Sequence, residues 1–103
     1  MNKEEVLAHI KSVNRITTDD VGINGEIENL IASALVDLNM SGIRKEFCNY
    51  PLEPIIVRAI GLYVKSQFGF DNPDSEKIMS SYLSLEKHLS LSNDYGGGDS
   101  ETS

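Results

Sequence analysis

An all-α fold, a small bundle of four helices around a buried third helix with a flexible C-terminal tail, is predicted by three features of this 103-residue sequence. The run PIIVRAIGLYVKSQF, Pro54 to Phe68, holds nine apolar residues among fifteen. They cannot share one 100° stripe, so a helix made from them must be buried on most sides. Three other stretches carry apolar residues at i, i+3, i+4 spacing, the period of amphipathic helices that need a partner. The connections between them are short, which suits helices packed as neighbours around the central one. A membrane span is the rival reading of the central run. It would need about 20 apolar residues, whereas this run is short and carries Arg58 and Lys65, seven apart and almost in line as one cationic strip.

Asn2 caps a first helix, with Glu5 three residues on in the capping-box position. Val6, Leu7, Ile10 and Val13 form its apolar face, leaving Lys3, Lys11 and Ser12 to solvent. Asn14 to Gly25 reads as a connection of small polar residues that compete with helix formation, and the adjacent Asp19 and Asp20 as a helix-start signal. From Asn24 or Glu26 the apolar series Ile27, Leu30, Ile31, Ala34, Leu35, Leu38 predicts a second helix. It ends at Ser41-Gly42, with Gly42 left-handed and Ile43 covering Leu38 in a Schellman ending. Glu26, Asn29, Ser33 and Asp37 make its opposite face polar and acidic.

Residues Ile43 to Leu52 mix charge with aromatics and read as an extended, partly packed loop, because Pro51 keeps Tyr50 out of helical geometry. Pro54 then opens the central helix, where a missing N–H costs nothing, and Gly69 closes it. Asn72 as cap, Pro73 at the first position and Asp74 and Glu76 at the positive dipole end open a last helix. Its buried line is Ile78, Tyr82, Leu85 and Leu89 with Met79 and Leu83 beside it, while Lys77, Ser80, Ser81, Ser84, Lys87 and His88 face water. The reading therefore gives a helical domain over 1–89 and a tail over 90–103, in which 90–95 is a docking segment and 96–103 is disordered.

Sixteen acids against nine Lys and Arg give a net charge of −7, which argues against a sequence-independent grip on nucleic acid. The single cysteine, Cys48, cannot close an internal disulfide, and no basic-then-apolar leader pattern precedes the first helix, so a reducing cytoplasm is expected. His9 and His88 have no carboxylate or cysteine at ligand spacing, which predicts no metal site. Cys48 lacks a local partner that would lower its pKa and reads as a packing residue. Gly96 to Gly98 follows no strand and precedes no helix, so it is not a phosphate loop. No enzyme and no cofactor are expected.

The segment Tyr63-Val64-Lys65 to Phe68-Gly69-Phe70, the Asp71-Asn72-Pro73-Asp74 cap, Ser81-Tyr82, and the ending His88-Leu89-Ser90-Leu91-Ser92 with Asp94-Tyr95 resemble the tailed-bacteriophage head-tail connector family, also described as DNA-packaging connectors. The N-terminal half agrees more loosely, through the Ile16 to Asp20 connection and the Leu30 to Gly42 helix ending. The resemblance implies a structural homo-oligomeric ring under the portal protein. Such a ring extends the DNA channel without binding DNA specifically, meets a tail-completion or stopper protein, contacts no membrane, and ends in the virion neck after assembly in the host cytoplasm. The alternative is a monomeric acidic helical adaptor or regulatory module. Under the connector reading the candidate portal-docking residues are Leu91, Asn93, Asp94 and Tyr95, since Leu91 and Tyr95 are sparse anchors among polar neighbours. Arg44, Phe47 and Tyr50 are candidates for the subunit interface, and Glu26 and Asp37 for a channel-facing surface.

Overall fold

In the computed structural model, which describes residues 1–68 and 73–96, the first helix, α1 (Lys3–Val13), begins as its capping box predicts. The Asn2 side chain accepts from Glu5 N at 2.8 Å and Glu5 Oε1 from Asn2 N at 2.9 Å, satisfying two donors that a helix start otherwise leaves orphaned. Helix α2 spans Val21–Met40, α3 Pro54–Gln67 and α4 Ser75–Leu91, with a 3₁₀ turn at Lys45–Cys48 between α2 and α3. The described residues are all-α; their one β feature is an isolated antiparallel bridge between Ile43 and Gly96.

Helix α2 starts earlier than the periodicity predicts. Asp20 is its N-cap and accepts from Gly22 N at 2.8 Å and Ile23 N at 3.1 Å. That cap, with Ile23 packed against the core, offsets the cost of about 1 kcal/mol for each of Gly22 and Gly25 in a helix. The other end matches expectation: Gly42 has φ 118°, Ile43 N donates to Leu38 O at 3.2 Å and Gly42 N to Asn39 O at 3.1 Å. These are the two bonds of a Schellman motif. Residues 43–52 are not simply extended, because Lys45–Cys48 closes a turn through Phe47 N to Arg44 O at 3.0 Å. Helix α4 is capped at Asp74, and its first backbone bond runs from Ile78 N to Asp74 O at 2.9 Å, so Pro73 precedes the helix. The expected cap Asn72 and stop Gly69 lie outside the described residues.

Helix α3 packs against α1, α2 and α4. It buries Ile56, Val57, Ala59, Ile60 and Val64, leaving Arg58 and Lys65 exposed. Val6 and Ile10 of α1, Ile27, Ile31, Ala34 and Leu38 of α2, and Tyr82 and Leu89 of α4 complete the core with Ile43, Cys48 and Leu52. On α4, Ile78 and Leu85 are only half-buried, and the third buried residue beside Tyr82 and Leu89 is a carboxyl, Glu86.

Candidate functional site

Two groups nominated separately by the sequence, the 43–52 loop and the 90–95 segment, meet in the fold. Helix α4 runs two residues past Leu89 and stops at Ser92, whose Oγ donates to Leu89 O at 2.9 Å and accepts from Tyr95 N at 3.0 Å. The chain then turns back onto the loop. Arg44 N donates to Tyr95 O at 2.7 Å, Arg44 Nε to Gly96 O at 3.0 Å, and Arg44 Nη2 to Asn93 O at 3.3 Å. The Tyr95 ring meets Phe47 edge-on at 4.8 Å, and its hydroxyl donates to Glu53 Oε1 at 2.8 Å. That bond holds the Tyr95 hydroxyl above the usual phenol range. Gly96 is buried, and a Cβ there would overlap the Ser90 carbonyl oxygen, so no other residue fits without moving the turn.

This corrects the expectation of a tail from residue 90. Arg44 satisfies three carbonyl or backbone partnerships at once and Tyr95 has an aromatic neighbour, so 90–96 is held without any other chain. Residues 97–103 lie outside the described residues. Arg44 and Phe47 are consequently engaged inside the subunit, while Leu91, 74% exposed, with Asn93 and Asp94 forms the outward side of the turn. Tyr50 stands apart at 37% exposure, its hydroxyl raised by partial burial and by the charge of Glu28.

The two channel-facing candidates also separate. Glu26 is exposed, but Asp37 is half-buried against α4. Tyr82, 1% exposed, donates its hydroxyl to Asp37 Oδ2 at 2.6 Å and lies 3.1 Å from Glu86 Oε2. Burial, then a hydrogen bond and charge repulsion from Asp37, push Glu86 up to about 7. The Glu86 carboxyl donating to it holds Asp37 below its ordinary value despite some burial. Asp37 therefore joins two helices, which the sequence reading missed. The available signal was Glu86 placed one turn after Tyr82 on the inward line of α4.

Two surfaces flank α3. On one side a groove of about 420 Å³ between α1 and α3 is lined by His9, Val13, Leu62, Gly61, Arg58 and Lys65 among others, with no acid in its lining. On the other, Val36 and Met40 of α2, 59% and 79% exposed, edge a shallow depression that reaches Tyr63. His9 lies on that groove and His88 is exposed on α4. Cys48 is buried, which pushes its thiol up. Among the described residues no three His, Cys, Asp or Glu side chains are grouped to hold a metal, and no helix is long and apolar enough to cross a membrane.

The family model described as phage connector protein matches residues 6–96. No curated protein and no solved structure matches the chain. The matched span includes Gly96, which the sequence reading had set apart with the acidic terminus, and it ends where the C-terminal turn closes on the Ile43 bridge.

Proposed function

This chain belongs to the phage connector protein family, and on that premise we propose that it is a structural subunit of the head-tail connector. In this reading copies form a ring beneath the portal protein, extend the channel through which DNA passes, and present a surface to a tail-completion or stopper protein. The role is non-enzymatic and uses no cofactor. The observation that carries the proposal is the family match over residues 6–96, which takes in most of α1, the whole of α2, α3 and α4, and the C-terminal turn. The net charge of −7 supports free passage of DNA, because retention requires clustered cations that release counterions from phosphate.

The portal-docking role falls to the outward side of the C-terminal turn, Leu91, Asn93 and Asp94, with Tyr95 holding that turn in place from behind. A segment already positioned avoids most of the ordering entropy that a disordered tail would lose on binding. The test is electron microscopy and native mass measurement of the protein mixed with the portal oligomer of the same particle. A closed ring of this chain seated on the portal is expected. Single, unconnected copies on the portal would favour the monomeric adaptor, and absence of any complex would end both readings.

A further inference from the structure

We infer that the groove between α1 and α3 receives the Val36–Met40 stripe of α2 from a second copy of this chain, and that this head-to-tail contact joins neighbouring subunits. The inference rests on the ring reading and specifies which surfaces make the ring. Charge complementarity selects the occupant. Arg58, Lys65 and His9 border the groove and its lining contains no carboxylate, whereas Asp37 lines the depression that Val36 and Met40 edge and α2 carries no Lys or Arg along its whole length. Apolar character matches as well, since Val13, 44% exposed, and Leu62 face the groove and Val36 and Met40 stand out from α2 four residues apart, on one face. Leu91 of α4 fits less well, because Lys87, four residues before it, would meet Arg58 and Lys65 as a like charge.

Gly61 gives the groove its room. A Cβ there would sit 3.6 Å from Ile10 Cδ1 and 3.8 Å from Val13 Cγ2, ordinary contact distances, so the absence of a side chain is not demanded by packing inside the subunit. The two surfaces also do not overlap. Tyr63, on the α2 side, is one residue from Leu62 and two from Lys65, so it points about 100° and 200° round α3 from these groove residues. Each copy can thus use its groove for one neighbour and its stripe for another. Such a heterologous contact forms rings when its rotation closes.

Charge-swapped pairs test this. Arg58→Glu with Lys65→Glu alters only the groove, and Val36→Lys with Met40→Lys only the stripe; all four side chains are exposed, so each variant should keep the parent's circular dichroism and melting temperature. Each variant alone is expected to lose assembly on the portal and at high concentration, while an equimolar mixture regains it, because an acidic groove then meets a basic stripe. As a second measurement, Met40→Cys with Leu62→Cys in a Cys48→Ala background should oxidise to a ladder of linked dimers, trimers and higher species. If wild-type rings form and either variant alone assembles as the parent does, or the mixture stays dispersed, these surfaces are wrong and the ring reading survives. If the wild type forms no ring with its portal, the ring reading falls and takes this contact with it.

Discussion

Tyr82 has one hydroxyl proton and two carboxyl groups within reach, so at the join between α2 and α4 a second proton is needed for both Asp37 and Glu86 to be satisfied. Glu86, the more buried of the two, carries it. The raised value of Glu86 makes its contribution to stability complete below its ordinary 4.5 and lost as pH rises through about 7. The lowered value of Asp37 makes its contribution present above its ordinary 3.8 and lost on acidification below that. The clamp is therefore strongest in mildly acidic solution, and its loss between pH 5 and 8 should lower unfolding free energy by on the order of 2 to 3 kcal/mol. Glu86→Gln supplies a permanent hydrogen-bond donor in the same place. Urea midpoints measured across that range should slope downward for the parent and stay nearly level for the variant; parallel curves would show that Glu86 does not titrate there.

At the scale of elements, the C-terminal turn is the part whose behaviour departs most from its composition. A chain cut after Leu89 loses the last turn of α4, the three donor contacts of Arg44 and the Phe47–Tyr95 pair. An edge-on aromatic pair contributes about 0.5 to 1.5 kcal/mol, and each net hydrogen bond about 1 kcal/mol, discounted where exposed. The cut should therefore cost about 2 to 3 kcal/mol in chemical denaturation, instead of the negligible amount expected for a free end. No change in midpoint would mean that the turn does not hold to the loop in solution. Helix ends show the same mixture of legible and hidden signals. Gly42 announces the α2 ending because glycine adopts φ 118° without strain, whereas α1 closes in the same way on Arg15 at φ 57°, with Ile16 N to Lys11 O at 2.8 Å. Arginine has no preference for that conformation, so nothing in its identity marks the stop. Asp20 was visible as a start signal, but Gly22 and Gly25 hid the first turn it caps.

For the molecule as a whole, stability depends on the contacts that α3 makes with the other three helices. Ile60, fully buried in that helix, is the position where a cavity would be felt on several sides. Ile60→Ala should cost about 2 to 5 kcal/mol, a large share of the 5 to 15 kcal/mol that about spans ordinary domain stability. A melting temperature equal to the parent's would rule out a load on α3 of this size. Surface charge acts at the same scale without affecting the fold: the exposed cations Arg58 and Lys65 of α3 border one groove, so reversing them should alter association and leave the melting curve in place.

Four helices, the capping box at Asn2, the Schellman ending at Gly42 and the apolar wealth of α3 were all determined by the sequence alone, because each depends on residues within one or two turns of each other. The family resemblance was legible for the same reason, being carried by short local runs, and the match over residues 6–96 agrees with it. The partnerships that define the surfaces were not legible. Tyr82 reaches Asp37 across 45 residues, Tyr95 reaches Glu53 across 42, and Arg44 reaches Gly96 across 52. Periodicity places a side chain on a helix face but says nothing of which face it will meet. Asp37 therefore reads as part of a polar face and Tyr95 as a free anchor, whereas the fold sets Tyr82 of α4 beside Asp37 and the return of the chain past Ser92 sets Tyr95 beside Glu53.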